Sequence, residues 1–215
     1  MNIKHFIFIL CIGCTFQLLA QTTPGILPAV NINKSLKQGY SANFKNEYRF
    51  YELTNKFNLK LSDFSLMLGK KLGINHHLSI GLLSRFEKNV LIPRSIFQYT
   101  YLQKLSRLKI AYRLVSDQTF EQNAATLFRY RLRVMTEIPL SGQELNKKEF
   151  YLKLGNEYLN GWEATVHSFE IRGISSLGYE FTPKNKVEFG IDYRFRATPT
   201  LRSTVWLNAC WYLKF

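Results

Sequence analysis

Apolar and polar residues alternate along most of the chain, the pattern of β-strands with one apolar and one polar face. The alternation is clearest over 40–50, 128–138 and 187–195. In 128–138 most even positions are apolar and most odd positions are charged, as in Phe128, Tyr130, Leu132, Val134 and Ile138 against Arg129, Arg131, Arg133 and Glu137. Long helical periodicity is missing, so the pattern predicts an all-β protein.

Gly-, Asn- and Pro-containing turns divide the alternating segments into ten predicted strands. The strands cover 40–52, 61–72, 76–87, 94–104, 107–117, 126–138, 148–158, 168–181, 186–196 and 202–215. The apolar phase slips between Leu61 and Phe64, and a β-bulge or loop near Ser62-Asp63 would absorb the slip. Val30 to Leu36 are either an eleventh short strand or an extended lead-in.

Three features predict that the apolar face points outward, toward lipid. Most predicted strands have 11 to 14 residues, whereas about 9–11 suffice to cross a bilayer. The apolar faces of the clearest segments carry no charge at their centres, where Arg or Lys in a membrane costs about 2–4 kcal/mol. Lysines gather at turns, whereas arginines lie mid-strand on the polar face, where a guanidinium can pair with two carboxylates.

The resulting prediction is an antiparallel transmembrane β-barrel of about ten strands, with twelve as the alternative. An even number places both ends of a bacterial barrel on the periplasmic side. Turns at 37–39, 73–75, 104–106, 139–147 and 182–185 then lie on that side, and 139–147 is longer than such turns usually are. A secreted soluble β-barrel that binds an apolar ligand inside remains an alternative.

The first twenty residues have the features of a secretory signal peptide. Lys4 supplies the positive charge, residues 6–12 are apolar, and Ala20-Gln21 is a plausible cleavage site. A lipoprotein signal that uses Cys14 is the alternative. The predicted division of the chain is a signal peptide over 1–20, an extended lead-in over 21–39 and an outer-membrane barrel over 40–215.

Composition changes this picture little. The 215 residues are 46% hydrophobic with a formal net charge of +14, and removal of the signal peptide, with its single Lys, lowers the charge to +13. Of the three cysteines only Cys210 stays in the mature chain, so no intramolecular disulfide is possible. A basic chain can bind nucleic acid. The predicted signal peptide and the mid-strand position of the arginines argue against nucleic-acid binding here.

The chain ends on an alternating apolar segment with a final aromatic residue, and Trp211, Leu213 and Phe215 share one phase. This end resembles the C-terminal assembly signal of bacterial outer-membrane barrels. The resemblance implies that the barrel-assembly machinery is a partner during insertion. It also implies a location in the bacterial outer membrane, with outer-membrane lipid and lipopolysaccharide as partners that exposed lysines and Arg202 could contact. The oligomeric state is left open.

Several stretches resemble a family of outer-membrane barrels of unknown function from Bacteroidetes, domain of unknown function 2490. The stretches are 112–117, 128–133, 138–140, Asn156-Glu157 and Gly178-Tyr179. The family tends to carry a basic–apolar–acidic strand followed by an Arg-alternating strand that ends in a proline. Here Asp117 stands where Glu is expected and Tyr112 where His is common. The resemblance implies a fold and a location but no activity.

Charged residues on the polar faces predict a network in the lumen of the barrel. Its candidate members are Glu47, Arg49, Arg113, Asp117, Arg129, Arg131, Arg133, Glu157, Glu170, Arg172, Asp192 and Arg194. A narrow barrel could use such a network to fill its interior, which makes the protein structural. A more open barrel would use the arginines to attract anions through a narrow, porin-like pore.

An enzyme that acts on outer-membrane lipid is the alternative function. Barrel-embedded hydrolases use a His, a Ser and an acid, and His167, Ser168 and Glu170 lie close together in the sequence, as do His77 and Ser79. Neighbouring strand residues point to opposite faces, so His167 and Ser168 are expected to point apart. No phosphate loop, zinc spacing or dinucleotide motif is present. We therefore predict no catalytic residues, no metal and no cofactor.

Overall fold

A computed structural model describes residues 23–53, 56–199 and 201–215, so the predicted signal peptide and Cys14 lie outside the described residues. Within these ranges, eleven strands form one closed barrel. They are β1 (Thr23–Ser35), β2 (Tyr40–Leu53), β3 (Lys56–Lys71), β4 (His76–Glu87), β5 (Val90–Leu105), β6 (Leu108–Thr119), β7 (Leu127–Pro139), β8 (Glu149–Glu163), β9 (Val166–Thr182), β10 (Asn185–Arg196) and β11 (Arg202–Lys214). Among the described residues, no helix is long and apolar enough to cross a membrane.

The barrel has eleven strands where the sequence predicted ten. All ten predicted strands are present as β2–β11, and the predicted lead-in supplies one more strand, β1. β1 closes the barrel by pairing antiparallel with β2 and parallel with β11, from Thr23↔Thr204 to Asn33↔Lys214. The other neighbouring pairs are antiparallel.

The parallel pair sets the positions of the chain ends. The C-terminal end of the barrel carries Phe215 and the turns at 36–39, 72–75, 106–107, 140–148 and 183–184. The opposite end, here called the N-terminal end, carries Thr23 and the connections from β2 to β3, β4 to β5, β6 to β7, β8 to β9 and β10 to β11. The even-number rule predicted both chain ends on one side. With eleven strands, Thr23 and Phe215 lie at opposite ends.

Two prolines interrupt the strand pattern of β1 in the sequence. Pro24 and Pro28 fall inside the strand, and proline has no N–H to donate to a ladder. The β1–β2 pairing skips Leu27 and Pro28, between Ile26↔Phe50 and Ala29↔Glu47. Unbroken alternation is therefore confined to the second half of β1.

The slip of the apolar phase in β3 is a β-bulge, as predicted, but the bulge lies at Lys60 rather than near Ser62-Asp63. Arg49 pairs with Leu61, whereas the next residue of β2, Phe50, pairs with Leu59. Lys60 is the extra residue. The bulge turns Leu61 inward, where it is 3% exposed, and leaves Leu59 outward and 56% exposed. Asp63 thereby points into the barrel.

Apolar side chains cover the outside of the barrel and charged side chains fill its inside. Leu82 is 68% exposed, Phe189 63% and Leu207 55%, whereas Asp117 and Glu157 are each 1% exposed. This arrangement inverts that of a water-soluble protein, in which charged residues are rarely buried. The outward direction predicted for the apolar faces is what the structure shows.

Charge on the outer surface is confined to one end. Apart from residues 52–57, whose side chains are not described, the charged residues at outward strand positions are Lys34 and Lys70. Each is the second-last residue of its strand, at the C-terminal end of the barrel. The middle of the described outer surface is therefore free of lysine, arginine and carboxylates.

Candidate functional site

The candidate site is the charged interior of the barrel, built from every second residue of the strands. Because strand side chains alternate between faces, one polar residue in two is enough to line the whole interior. Most of the ion pairs fall into four groups, each organised around buried carboxylates.

The Asp63 group joins β2, β3 and β4. Nε and Nη2 of Arg85 donate to the two carboxylate oxygens of Asp63, both at 2.8 Å. Arg49 donates to Glu47 at 2.9 Å and lies 3.4 Å from Asp63. Lys45 completes the group through Glu47. The bidentate pair fixes the planes of both groups, which a single contact would not do.

The Asp117 group joins β5, β6 and β7. Arg129 donates through Nε to Oδ1 of Asp117 at 2.8 Å, and Arg131 donates to Oδ2 at 2.7 Å. Arg94 lies 3.6 Å from the same carboxylate and donates to Thr119 at 2.9 Å. One carboxylate thus faces three guanidinium groups, which leaves the group with an excess of positive charge.

The Glu157 group joins β7, β8, β9 and β10. Arg133 donates to Oε2 of Glu157 at 2.6 Å, and Arg172 donates to Oε1 at 2.8 Å. Arg172 also donates to Glu170, which accepts a further hydrogen bond from Arg196. Both oxygens of Glu157 are therefore occupied, and the chain of ion pairs holds four neighbouring strands together.

The Glu188 group lies nearer the C-terminal end of the barrel. Glu188 accepts hydrogen bonds from Tyr151 at 2.7 Å, Lys153 at 2.7 Å and Tyr212 at 3.0 Å. Tyr151 and Lys153 belong to β8, so these contacts pass over β9 to reach β10. Nearby on β10, Arg194 donates to Asp192 at 2.6 Å.

The structure brings the predicted network residues together, with one difference. All twelve face inward, and all except Arg113 form ion pairs. Arg113 has no hydrogen-bond or ion-pair partner among the described residues, and its Nε is buried.

Sequence analysis missed several members of the network, among them Lys45, Asp63, Arg85, Arg94, Lys153, Glu188 and Arg196. Strand phase could have identified most of them, because they alternate with outward apolar residues. Asp63 is the exception: its direction depends on the bulge at Lys60, which the phase alone does not locate.

The candidate catalytic residues do not assemble into a catalytic group. Ser168 faces inward and donates to the Gly161 carbonyl oxygen, whereas His167 faces outward against Trp162. His77 lies inside, with its ring nitrogens 3.2 Å from the Ser41 hydroxyl and 3.1 Å from the Ser79 hydroxyl. No carboxylate contacts it in the described part of the chain.

Neither a thiol pair nor a metal site is found in the described ranges. Cys210 is a half-buried free cysteine on β11. The described histidines, cysteines and carboxylates form no cluster of three or more that could hold a metal ion.

The model of one protein family, described as a protein of unknown function (DUF2490), matches residues 25–204. The chain belongs to the DUF2490 family. The match begins within β1 and ends within β11, so it includes all or part of every strand of the barrel. No curated protein and no solved structure matches the chain.

Proposed function

We propose that this DUF2490 protein is a bacterial outer-membrane β-barrel whose mature chain crosses the membrane with its eleven strands. The observation that carries the proposal is the inverted surface: exposed apolar side chains around the outside and buried ion pairs within. In water such a surface would be an aggregation hazard. In hydrocarbon it is the stable arrangement, because apolar side chains meet lipid and a closed barrel leaves no backbone group unpaired.

The distribution of aromatic residues supports the proposal. Tyr and Trp favour the two interfaces of a membrane, where their polar atoms meet water and their rings meet lipid. Tyr40 and Trp211 lie outward near the C-terminal end, and Tyr130 and Trp162 lie outward near the N-terminal end. Leu66, Leu82 and Leu207 occupy the outer surface between them. Strands of 12 to 17 residues exceed the length needed to cross.

Within the membrane we assign the protein a structural or narrow-pore role. The ion-pair groups join neighbouring strands around the interior, which stabilises the closed barrel and narrows its lumen. Arginine and lysine outnumber the inward carboxylates, so a solute that enters would be an anion. Outer-membrane lipid and lipopolysaccharide contact the outside. Trp211 and Leu213, outward on β11, and Phe215, directly after β11, serve as the assembly signal for the barrel-assembly machinery.

Cell fractionation combined with gel mobility tests this proposal. The protein should sediment with the outer membrane, resist extraction at alkaline pH and migrate differently in SDS before and after boiling. A protein recovered in the soluble fraction without detergent contradicts the proposal. Planar-bilayer recording then separates the two roles: a narrow pore gives small anion-selective steps, and a structural barrel gives none.

A further inference from the structure

Arg113 stands in a circumferential row of inward residues that is rich in arginine. The pairing register runs from Thr100 through Arg113, Arg133, Glu157 and Arg172 to Arg194. Four guanidinium groups thus share one row with a single carboxylate. Arg113 and Arg133 are direct cross-strand partners, an arrangement of like charges that destabilises a sheet unless something compensates it.

The carboxylates of Glu157 and Asp117, on the strands near Arg113, are each paired with other arginines. Arg133 and Arg172 occupy the two oxygens of Glu157. Outside this row, Asp117 is already shared by Arg94, Arg129 and Arg131. Arg172 and Arg194 each have a carboxylate two residues away on their own strand, Glu170 and Asp192. The residue two positions from Arg113 toward Asp117 is the apolar Val115.

Two guanidinium N–H groups in this region are buried without a hydrogen-bond partner. They are Nε of Arg113 and Nε of Arg131, and they belong to the neighbouring strands β6 and β7. A buried, unsatisfied donor destabilises the folded protein, and the penalty is larger when the donor is charged. Arg113, Arg131 and Arg133 form a cationic cluster whose hydrogen-bonding capacity the described residues use only in part.

We propose that Arg113, Arg131 and Arg133 bind a small oxyanion inside the barrel. An oxyanion such as phosphate or sulfate offers several acceptor oxygens, and the planar fork of a guanidinium matches two of them at once. The bound anion would relieve the repulsion between Arg113 and Arg133, and a shift of the Arg113 and Arg131 side chains would turn their buried Nε–H groups toward it. The inference rests on the proposed function in one respect: the interior must admit water-borne ions from one end.

Calorimetric titration with inorganic phosphate tests the site on the full mature chain folded in detergent. Chloride keeps the ionic strength constant, so that general charge screening does not change. The wild-type protein should bind one phosphate per chain. Arg113→Gln should weaken binding by about ten- to a hundredfold, the equivalent of one or two charge-assisted hydrogen bonds, and Arg113→Lys should weaken it less.

Arg107→Gln is the matched control, because it removes one arginine at the 106–107 turn, which donates to the Pro139 carbonyl oxygen and belongs to none of the ion-pair groups. It should leave phosphate affinity within about twofold, well under the loss expected for one charge-assisted hydrogen bond. The inference is overturned if folded wild-type protein binds no phosphate, or if Arg113→Gln and Arg107→Gln reduce affinity equally. A heat-modifiable gel shift verifies folding of every variant. A different result would overturn the proposed function: the chain would stay monodisperse without detergent. Phosphate binding could still be measured on that soluble chain.

Discussion

Tyr151 on β8 reaches across β9 to donate a hydrogen bond to Glu188 on β10, over a distance of 2.7 Å. The strand between them makes the contact possible because it presents Gly178 at the crossing point. A Cβ atom added to Gly178 would lie 2.2 Å from the Tyr151 ring. Trp206 on β11 is accommodated by a glycine in the same way. Its ring lies against Gly25 of the neighbouring strand β1 and packs on Tyr51 with 4.5 Å between ring centroids.

Gly178→Ala is expected to destabilise the barrel. The new methyl group must displace the Tyr151 ring, so the variant combines overpacking with a weakened buried hydrogen bond, a loss of about 1–3 kcal/mol. Urea unfolding in lipid vesicles, followed by tryptophan fluorescence, measures it. Gly173→Ala on the same strand is the control, because its Cβ would meet only Asn156 Oδ1 at 4.0 Å. Equal stability of the two variants would contradict the packing argument.

Glu157→Gln should destabilise the barrel more than any surface charge change. The substitution keeps the shape of the side chain but leaves Arg133 and Arg172 facing a neutral amide. Breaking a buried ion pair on one side costs about 3–5 kcal/mol. The same unfolding assay measures the loss.

Glu144→Gln is the matched control for that prediction. Glu144 lies in the exposed 140–148 turn and pairs with Lys104 at 2.6 Å, which lowers the pKa of its carboxyl group. Because both partners are exposed, losing this pair should change the stability little. A control that destabilises as much as Glu157→Gln would show that burial of the ion pairs is irrelevant.

Epitope insertion tests the eleven-strand topology. With Phe215 on the periplasmic side, a tag inserted at Asn123 should be accessible on intact cells, and a tag at Gly142 should not. A tag placed directly before Thr23 should also be accessible, because β1 runs parallel to β11 and starts at the opposite end. In a ten-stranded barrel with a periplasmic lead-in, the tag before Thr23 would be inaccessible on intact cells. Antibody binding to intact and permeabilised cells separates the two topologies.

The period-two pattern was sufficient to predict most of the fold, because few polar residues interrupt the apolar outer face of the barrel. In β7, for example, charged residues fill the inward positions from Arg129 to Arg133 and apolar ones face out. The first strand could not be predicted in the same way. Pro24 and Pro28 resemble strand breakers, and only the pairing with both β2 and β11 shows that the ladder continues around Pro28.

The candidate site was predictable in composition but not in pairing. Alternation is sufficient to place Glu157 and Arg133 on the inner face. It does not show that Arg133 and Arg172 take both oxygens of Glu157, since this depends on the register of β7, β8 and β9. For the same reason the sequence could not single out Arg113: its lack of a partner is a property of the whole row of residues around it.

Contact between the outer surface and lipid is the central claim, and the fluorescence of Trp211 measures it most directly. Trp211 faces outward and is 47% exposed, whereas Trp206 faces inward and is 1% exposed. Single-tryptophan variants, with phenylalanine at the other two tryptophan positions, are folded into vesicles whose acyl chains carry bromine near the headgroups. Bromine should quench Trp211 strongly and Trp206 weakly. If Trp211 is quenched no more than Trp206, the outer surface does not lie in lipid and the membrane account is wrong.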